Sequence, residues 1–226
     1  MVQIDVMPVR LKLVTPTHEI KSKIVRAMYA TLIKRLSSGA IKNAIQKGAQ
    51  KALEKSLKSQ LEYLDMVASD GRLRAELGVV NSERVMNSLV RDWVRSTHVQ
   101  IHRPRILGSS IVGTMISVKA IQADYQDVLE RAYASYKTEK GDTIPWLEWL
   151  LTKGSEILVV THRSMELPTA RSRTGTNMIM IKSKGRGWGV PSEYAGTYGN
   201  NYATRAVLAA MPEIEGVFER EVMRRF

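Results

Sequence analysis

The sequence predicts an α+β fold: a small, mainly antiparallel sheet flanked by helices, with long helices in the N-terminal region. Three observations predict it. Apolar residues recur at helical spacing through residues 17–68 and again through 82–96. The pattern then switches to alternation between Thr97 and Val118, and short apolar runs return at 157–162 and 178–181. The strand segments therefore come in separated pairs between helices, which argues against a doubly wound parallel sheet. The chain has 226 residues, of which 44% are hydrophobic and 25% charged. That is enough to bury a core without staples, and it excludes general disorder.

Each element has a local reason. Residues 1–14 alternate loosely through Val2, Ile4, Val6, Val9, Leu11 and Leu13, as a strand or an extended arm does. Thr15 and Pro16 are a helix start, with threonine as cap and proline in the first turn. Ile20, Ile24, Ala27, Met28 and Leu32 follow at helical spacing, and Ser37-Ser38-Gly39 reads as a stop. The stripe Ile41, Ile45, Ala49, Ala52, Leu53, Leu57, Leu61, Leu64 predicts one long helix over 40–68, weakened near Gly48. Val85, Met86, Leu89, Val90 and Trp93 predict a helix over 82–96, capped by Asn81 or Ser82. Thr97–Ile106 and Ile111–Val118 read as a strand pair, the first short or at an edge because of Pro104.

Ile121, Tyr125, Val128, Leu129, Ala132, Tyr133 and Tyr136 predict a further helix ended by Gly141-Asp142. Pro145 starts a short one through Leu151 that stops at Gly154. Residues 157–162 read as a buried strand, 163–176 as an exposed loop, and Met178–Ile181 as a strand. A last helix starts near Asn201 and is kinked or split at Pro212. These elements divide into an N-terminal arm and basic helical region, residues 1–96, and an α+β core with the C-terminal helix, residues 97–226, expected to form one continuous unit.

Composition narrows the function classes. There is no cysteine, which removes disulfides, thiolate metal sites and a cysteine nucleophile. No apolar run is long enough to span a membrane, and the first residues lack the basic-then-apolar order of a signal peptide. The formal net charge is +12. Lys21, Lys23, Arg26, Lys34, Arg35, Lys42, Lys47, Lys51, Lys55 and Lys58 crowd into 21–58, opposed there by Glu54 alone. A second basic cluster holds Arg163, Arg171, Arg173, Lys182, Lys184 and Arg186. Phosphate, an anionic membrane or an acidic protein surface suits such a chain.

The chemical motifs are sparse. His98 and His102 fall four apart without an HExxH pattern, which makes a zinc site a weak reading. Asp124, Asp127 and Glu130 share a predicted helix, but metal sites for phosphoryl transfer need carboxylates converging from different elements. Glu213, Glu215, Glu219 and Glu221 interleave with Arg220 and Arg224, as on a solvated helix face. Gly185, Gly187 and Gly189 alternate around Arg186 and Trp188. That matches no phosphate loop, and suits a mobile hairpin tip or a close backbone approach. Lys47, Lys51, Lys55 and Lys58 stand at i, i+4, i+8 and i+11, so they line one helical face. No zinc-finger, RNP or clear helix-turn-helix signature accompanies them. Trp93, Trp146, Trp149 and Trp188 read as core or interface anchors.

The C-terminal third carries a longer pattern. Ile144-Pro145-Trp146-Leu147-Glu148-Trp149-Leu150-Leu151 leads through Gly154 into Ile157-Leu158-Val159-Val160. Arg173-Thr174-Gly175 precedes Met178-Ile179-Met180, and Trp188-Gly189-Val190-Pro191 precedes Gly196-Thr197. Asn201-Tyr202 opens the last helix. This series resembles the neck and tail-completion structural proteins of tailed bacteriophages. The resemblance implies a virion subunit at the head-to-tail junction, made in the host cytoplasm, in a closed six-fold or twelve-fold homo-oligomeric ring. It implies neighbouring phage head, connector or tail proteins as partners, and neither catalysis nor a cofactor.

The leading expectation is therefore a structural, non-enzymatic ring subunit around a DNA channel. Lys42, Lys47, Lys51, Lys55 and Lys58 are the candidate DNA-channel or docking surface. Arg171, Arg173, Lys184, Arg186 and Trp188 are the candidate interface-loop residues. No membrane contact is expected. The alternatives are a sequence-nonspecific nucleic-acid-binding protein using 21–58, and a metal-dependent nuclease built on Asp124, Asp127 or Glu130.

Overall fold

The computed structural model describes residues 3–12, 18–108, 111–121, 125–154, 156–166, 178–185 and 187–223. In chain order its elements are β1 (Gln3–Lys12), α1 (His18–Leu36), α2 (Gly39–Ser59), α3 (Leu61–Val67), α4 (Arg72–Leu77) and α5 (Ser82–Ser96). Next come β2 (His98–Ile101), β3 (Arg105–Gly108), β4 (Ile111–Lys119), α6 (Gln126–Leu129), β5 (Tyr136–Lys137) and β6 (Thr143–Ile144). The chain ends with α7 (Trp146–Thr152), β7 (His162–Glu166), β8 (Met178–Lys182) and α8 (Tyr202–Met223). The fold is α+β, with small antiparallel sheets among helices.

The chain divides into two compact units, each assembled from separated segments. One comprises residues 1–53, 94–120 and 210–226; the other comprises 54–93 and 121–209.

In the first unit β4 is the central strand, paired antiparallel with β1 on one side and with β2 and β3 on the other. Beneath it lies a core of Leu32, Ile45, Ala49, Leu53, Val112, Ile116 and Ile214. The expected weak point at Gly48 is absent: α2 runs through it unbroken. A Cβ at Gly48 would lie 2.5 Å from Cγ1 of Val217, so glycine is there to let α8 approach. Gly48→Ala is expected to destabilise the protein by about 1–3 kcal/mol through overpacking, despite alanine's better helix propensity. A thermal melt checks it, and a raised midpoint would refute the close-approach account.

The long helix breaks instead at Gln60, whose backbone is extended (φ −73°, ψ 149°). The carbonyls that should continue α2 are taken. Ser56 O accepts from Ser59 Oγ at 2.9 Å and Gln60 Nε2 at 3.3 Å, and Leu57 O accepts from Tyr202 Oη at 3.1 Å. Such local competition ends helices. The break also resets the helical phase. Leu61 and Leu64, read as part of the apolar stripe, emerge 64% and 50% exposed, while Glu62 and Met66 are buried.

The second unit packs Trp93, Trp146, Tyr125, Tyr202, Met66, Leu73 and Met86 into its core. Two expectations fail here. The predicted helix from Ile121 to Tyr136 shrinks to the single turn α6. The carbonyls of Tyr133 and Ala134 accept instead from Trp146 Nε1 at 2.7 Å and the Leu147 amide at 3.2 Å, outside the expected helix. The run 157–162 is not a buried strand, since Ile157 and Val160 are 67% and 71% exposed. Val159 makes only an isolated bridge to Trp188, and the strand proper is β7, paired with β8. Helix α8 is continuous through Pro212 rather than split. The Thr15-Pro16 helix start lies outside the described residues.

Candidate docking and nucleic-acid surfaces

Helix α2 positions the lysine row. Lys47, Lys51 and Lys55 are all exposed along it, spanning about 12 Å at the helical rise. Lys58 is compensated: its Nζ lies 2.7 Å from Oε1 of Glu54, one turn earlier. That hydrogen bond, more than the opposite charge itself, raises the Lys58 pKa and keeps it protonated. Lys42 is exposed but, five residues before Lys47, stands about 140° around the helix from it. Lys42 therefore stands apart from the face that Lys47, Lys51, Lys55 and Lys58 share.

The interface-loop residues separate as well. Lys184 is exposed. Arg171, Arg173 and Arg186 lie outside the described residues, as do Asp124 and the Arg173-Thr174-Gly175 step. Trp188, expected on an interface loop, is only 5% exposed. Its ring lies 5.8 Å from that of Trp149, and its Nε1 donates to Oε2 of Glu76 at 2.8 Å. Glu76 also receives Arg72 Nε at 2.6 Å, and Arg72 reaches Oε1 of Glu193 at 2.9 Å. The alternating glycines explain this burial. The Trp188 amide donates to Val159 O at 2.7 Å, and a Cβ at Gly187 or Gly189 would meet Val159 O or Glu156 O at 2.5 Å. Of the two sequence expectations for these glycines, the close backbone approach holds for Gly187 and Gly189.

The residues around Gly196-Thr197 and Asn201-Tyr202 form a buried junction rather than a ligand site. Asn201 donates to Tyr125 Oη at 2.8 Å, Leu151 O at 3.1 Å and Thr197 O at 2.8 Å, and accepts from the Thr204 amide at 3.0 Å. Glu62 is buried against Arg205. Burial, and then the neighbouring Glu62 charge, hold the Tyr202 hydroxyl well above its ordinary pKa, so it stays a donor to Leu57. Burial and the adjacent Asp65 similarly push Tyr194 up to about 12.

Among the described residues no three acids or histidines come together to hold a metal ion. Asp127 and Glu130 sit in and just after the single turn α6. His102 places Nε2 3.1 Å from Ser117 Oγ, and His98 is exposed opposite Lys119 in the sheet. No helix among the described residues is long and apolar enough to cross a membrane.

No family model, curated protein or solved structure matches this chain. Its surfaces are therefore read from their own chemistry.

Two surfaces were not foreseen from sequence. The β7–β8 ribbon buries none of its residues. Met165 faces Ile179 and Arg163 faces Ile181 across the pair, so one side of the ribbon is largely apolar, with Met165 exposed and Ile179 and Ile181 half-buried. Runs such as Met178–Ile181 look like core in one dimension, and nothing local marks them as uncovered. The second surface is a cleft of about 310 Å³ on the first unit's sheet, lined by His102, Arg103, Arg105, Leu107 and Met115 beside Gly113. Its local signal is Pro104, where the β2–β3 edge is interrupted.

Proposed function

We propose that this chain is a structural, non-catalytic subunit of a phage virion at the head-to-tail junction, closing with copies of itself into a six-fold or twelve-fold ring. The observation that carries the reading is the β7–β8 ribbon. A two-stranded ribbon is marginally stable in water by itself. One that fully buries none of its residues and leaves Met165 exposed beside half-buried Ile179 and Ile181 is suited to packing against a neighbour. A closed ring supplies such a neighbour through head-to-tail contacts. The sequence pattern through residues 144–211 supports the same assignment, and the Asn201 junction gives the polar residues of that pattern a packing role.

The test is the mass of the purified protein at two concentrations, by light scattering after gel filtration. The expected result is a discrete closed oligomer that Met165→Lys with Ile179→Glu reduces to a single chain without lowering the melting midpoint. A wild-type mass of one chain at both concentrations overturns the self-closing ring.

A second reading is a sequence-nonspecific nucleic-acid-binding protein, favoured by the exposed row Lys47, Lys51 and Lys55. A row of about three phosphate contacts gives weak, salt-sensitive attraction, which suits a DNA channel as well as a free binding protein.

A further inference from the structure

We propose that α4, the turn after it and α5 form a duplex-DNA-binding element, with α5 lying in the major groove. This goes beyond the ring and the lysine row: it assigns a different surface and does not depend on either. The sequence has no clear helix-turn-helix signature, but in the fold two helices follow one another across a short glycine-containing turn. Helix α4 ends at Gly78, which is left-handed (φ 68°) and donates its amide to the carbonyls of Arg74 and Ala75. Four residues later α5 begins, after Asn81, which is also left-handed (φ 55°). Leu73, Leu77 and Val79 are buried on the α4 side, and Met86, Leu89, Val90 and Trp93 on the α5 side. Two helices joined by a glycine-containing turn, each with one buried side, leave the second helix free to present its outer face.

That outer face is unlike the rest of the surface. Arg84, Asn87, Ser88 and Arg91 stand at i, i+3, i+4 and i+7, within an arc of about 100°. They line a shallow polar groove with Glu83. Neither Arg84 nor Arg91 has a carboxylate partner among the described residues. Tyr63 donates to Asn87 Oδ1 at 2.8 Å, which aims the Asn87 amide nitrogen outward as a donor. Arg91 donates to Ser88 Oγ at 3.2 Å, which holds the guanidinium along the face. The result is two arginines about 10 Å apart along the axis with an asparagine donor between them.

This chemistry selects the occupant. The patch offers no apolar side chain for a protein partner to bury, whereas arginine and asparagine are the residues that read phosphates and the purine edges of the major groove. A helix about 10–12 Å across fits a groove about 12 Å wide. The chain's net charge of +12 favours the approach.

The probe is a fluorescent mixed-sequence duplex of about two helical turns, titrated with the full chain between about 50 and 200 mM salt. Arg84→Ala with Arg91→Ala is expected to weaken binding at least about tenfold and to lower the salt slope by about 2. Arg84→Lys with Arg91→Lys keeps the charge, so it should retain the slope while losing affinity, because lysine cannot make the bidentate contacts. Lys47→Glu with Lys51→Glu separates this surface from the lysine row, and a thermal melt of each variant confirms the fold. Three outcomes overturn the proposal: no duplex binding by the wild type at the lowest salt, unchanged binding by the double alanine variant, or equal affinity for a poly-glutamate peptide.

Discussion

Replacing Arg205 with methionine is expected to destabilise the protein by about 3–5 kcal/mol, because it strands a buried carboxylate. Glu62 is almost wholly buried and its partner is Arg205, held on the first turn of α8. The Tyr202 hydroxyl beside it is committed to the Leu57 carbonyl, so it offers no second donor. Methionine fills the space of the arginine stem without its charge. For a chain of this size the loss corresponds to a fall in melting midpoint of about 10 °C. Adding Glu62→Gln should recover most of it, since a neutral amide tolerates burial far better than an unpaired carboxylate. Urea denaturation of the two single variants and the double variant measures the coupling. A loss below about 1 kcal/mol for Arg205→Met would mean that the carboxylate is solvated and the pair is of little consequence.

Asn201→Ala should cost about 3 kcal/mol, from a lost helix cap and newly unpaired buried groups. The side chain accepts from the Thr204 amide while Thr204 Oγ1 accepts from the Asn201 amide at 2.8 Å, a reciprocal cap on α8. The side-chain Nδ2 of Asn201 donates to Leu151 O and Tyr125 Oη in the interior and to Thr197 O at its edge. Asn201→Asp is the sharper variant. It keeps the cap acceptor but turns an oxygen toward those carbonyls, so the folded state favours the protonated acid. Its carboxyl pKa is then raised on folding, and stability present at acid pH is lost as pH rises. Denaturation of this variant at pH values either side of the carboxylate range checks the sign. Stability that rises with pH would show that the junction is not the donor-dependent cluster described above.

These two residues also show how far one dimension reaches. The start of the last helix near Asn201 was legible, because a capping residue ahead of an apolar-periodic run is local information. That Asn201 ties three other segments together was not, since its partners lie up to 76 residues away. The helix over 82–96 and the strand pair around residue 110 were legible for the same local reason, and both stand as α5 and β2–β4. The helix expected from Ile121 gives way to a single turn, and the Tyr133 and Ala134 carbonyls bond to α7, a pairing that periodicity does not record. The lysine row and Lys42's place off it were visible as spacing, but only the structure shows Lys58 bonded to Glu54. The arginine face of α5 escaped notice because its residues are ordinary for a solvated helix; the turn that presents them is set by two left-handed residues.

The amino-acid sequence alone determined the α+β class, most element positions, the basic character and the absence of cysteine chemistry. Those follow from composition and short-range periodicity. The tertiary structure alone decided where α2 breaks, which leucines face water, that Trp188 is core and that the β7–β8 ribbon fully buries none of its residues. Burial and hydrogen-bond competition depend on segments remote in the chain, and periodicity records which residues are apolar without recording what covers them.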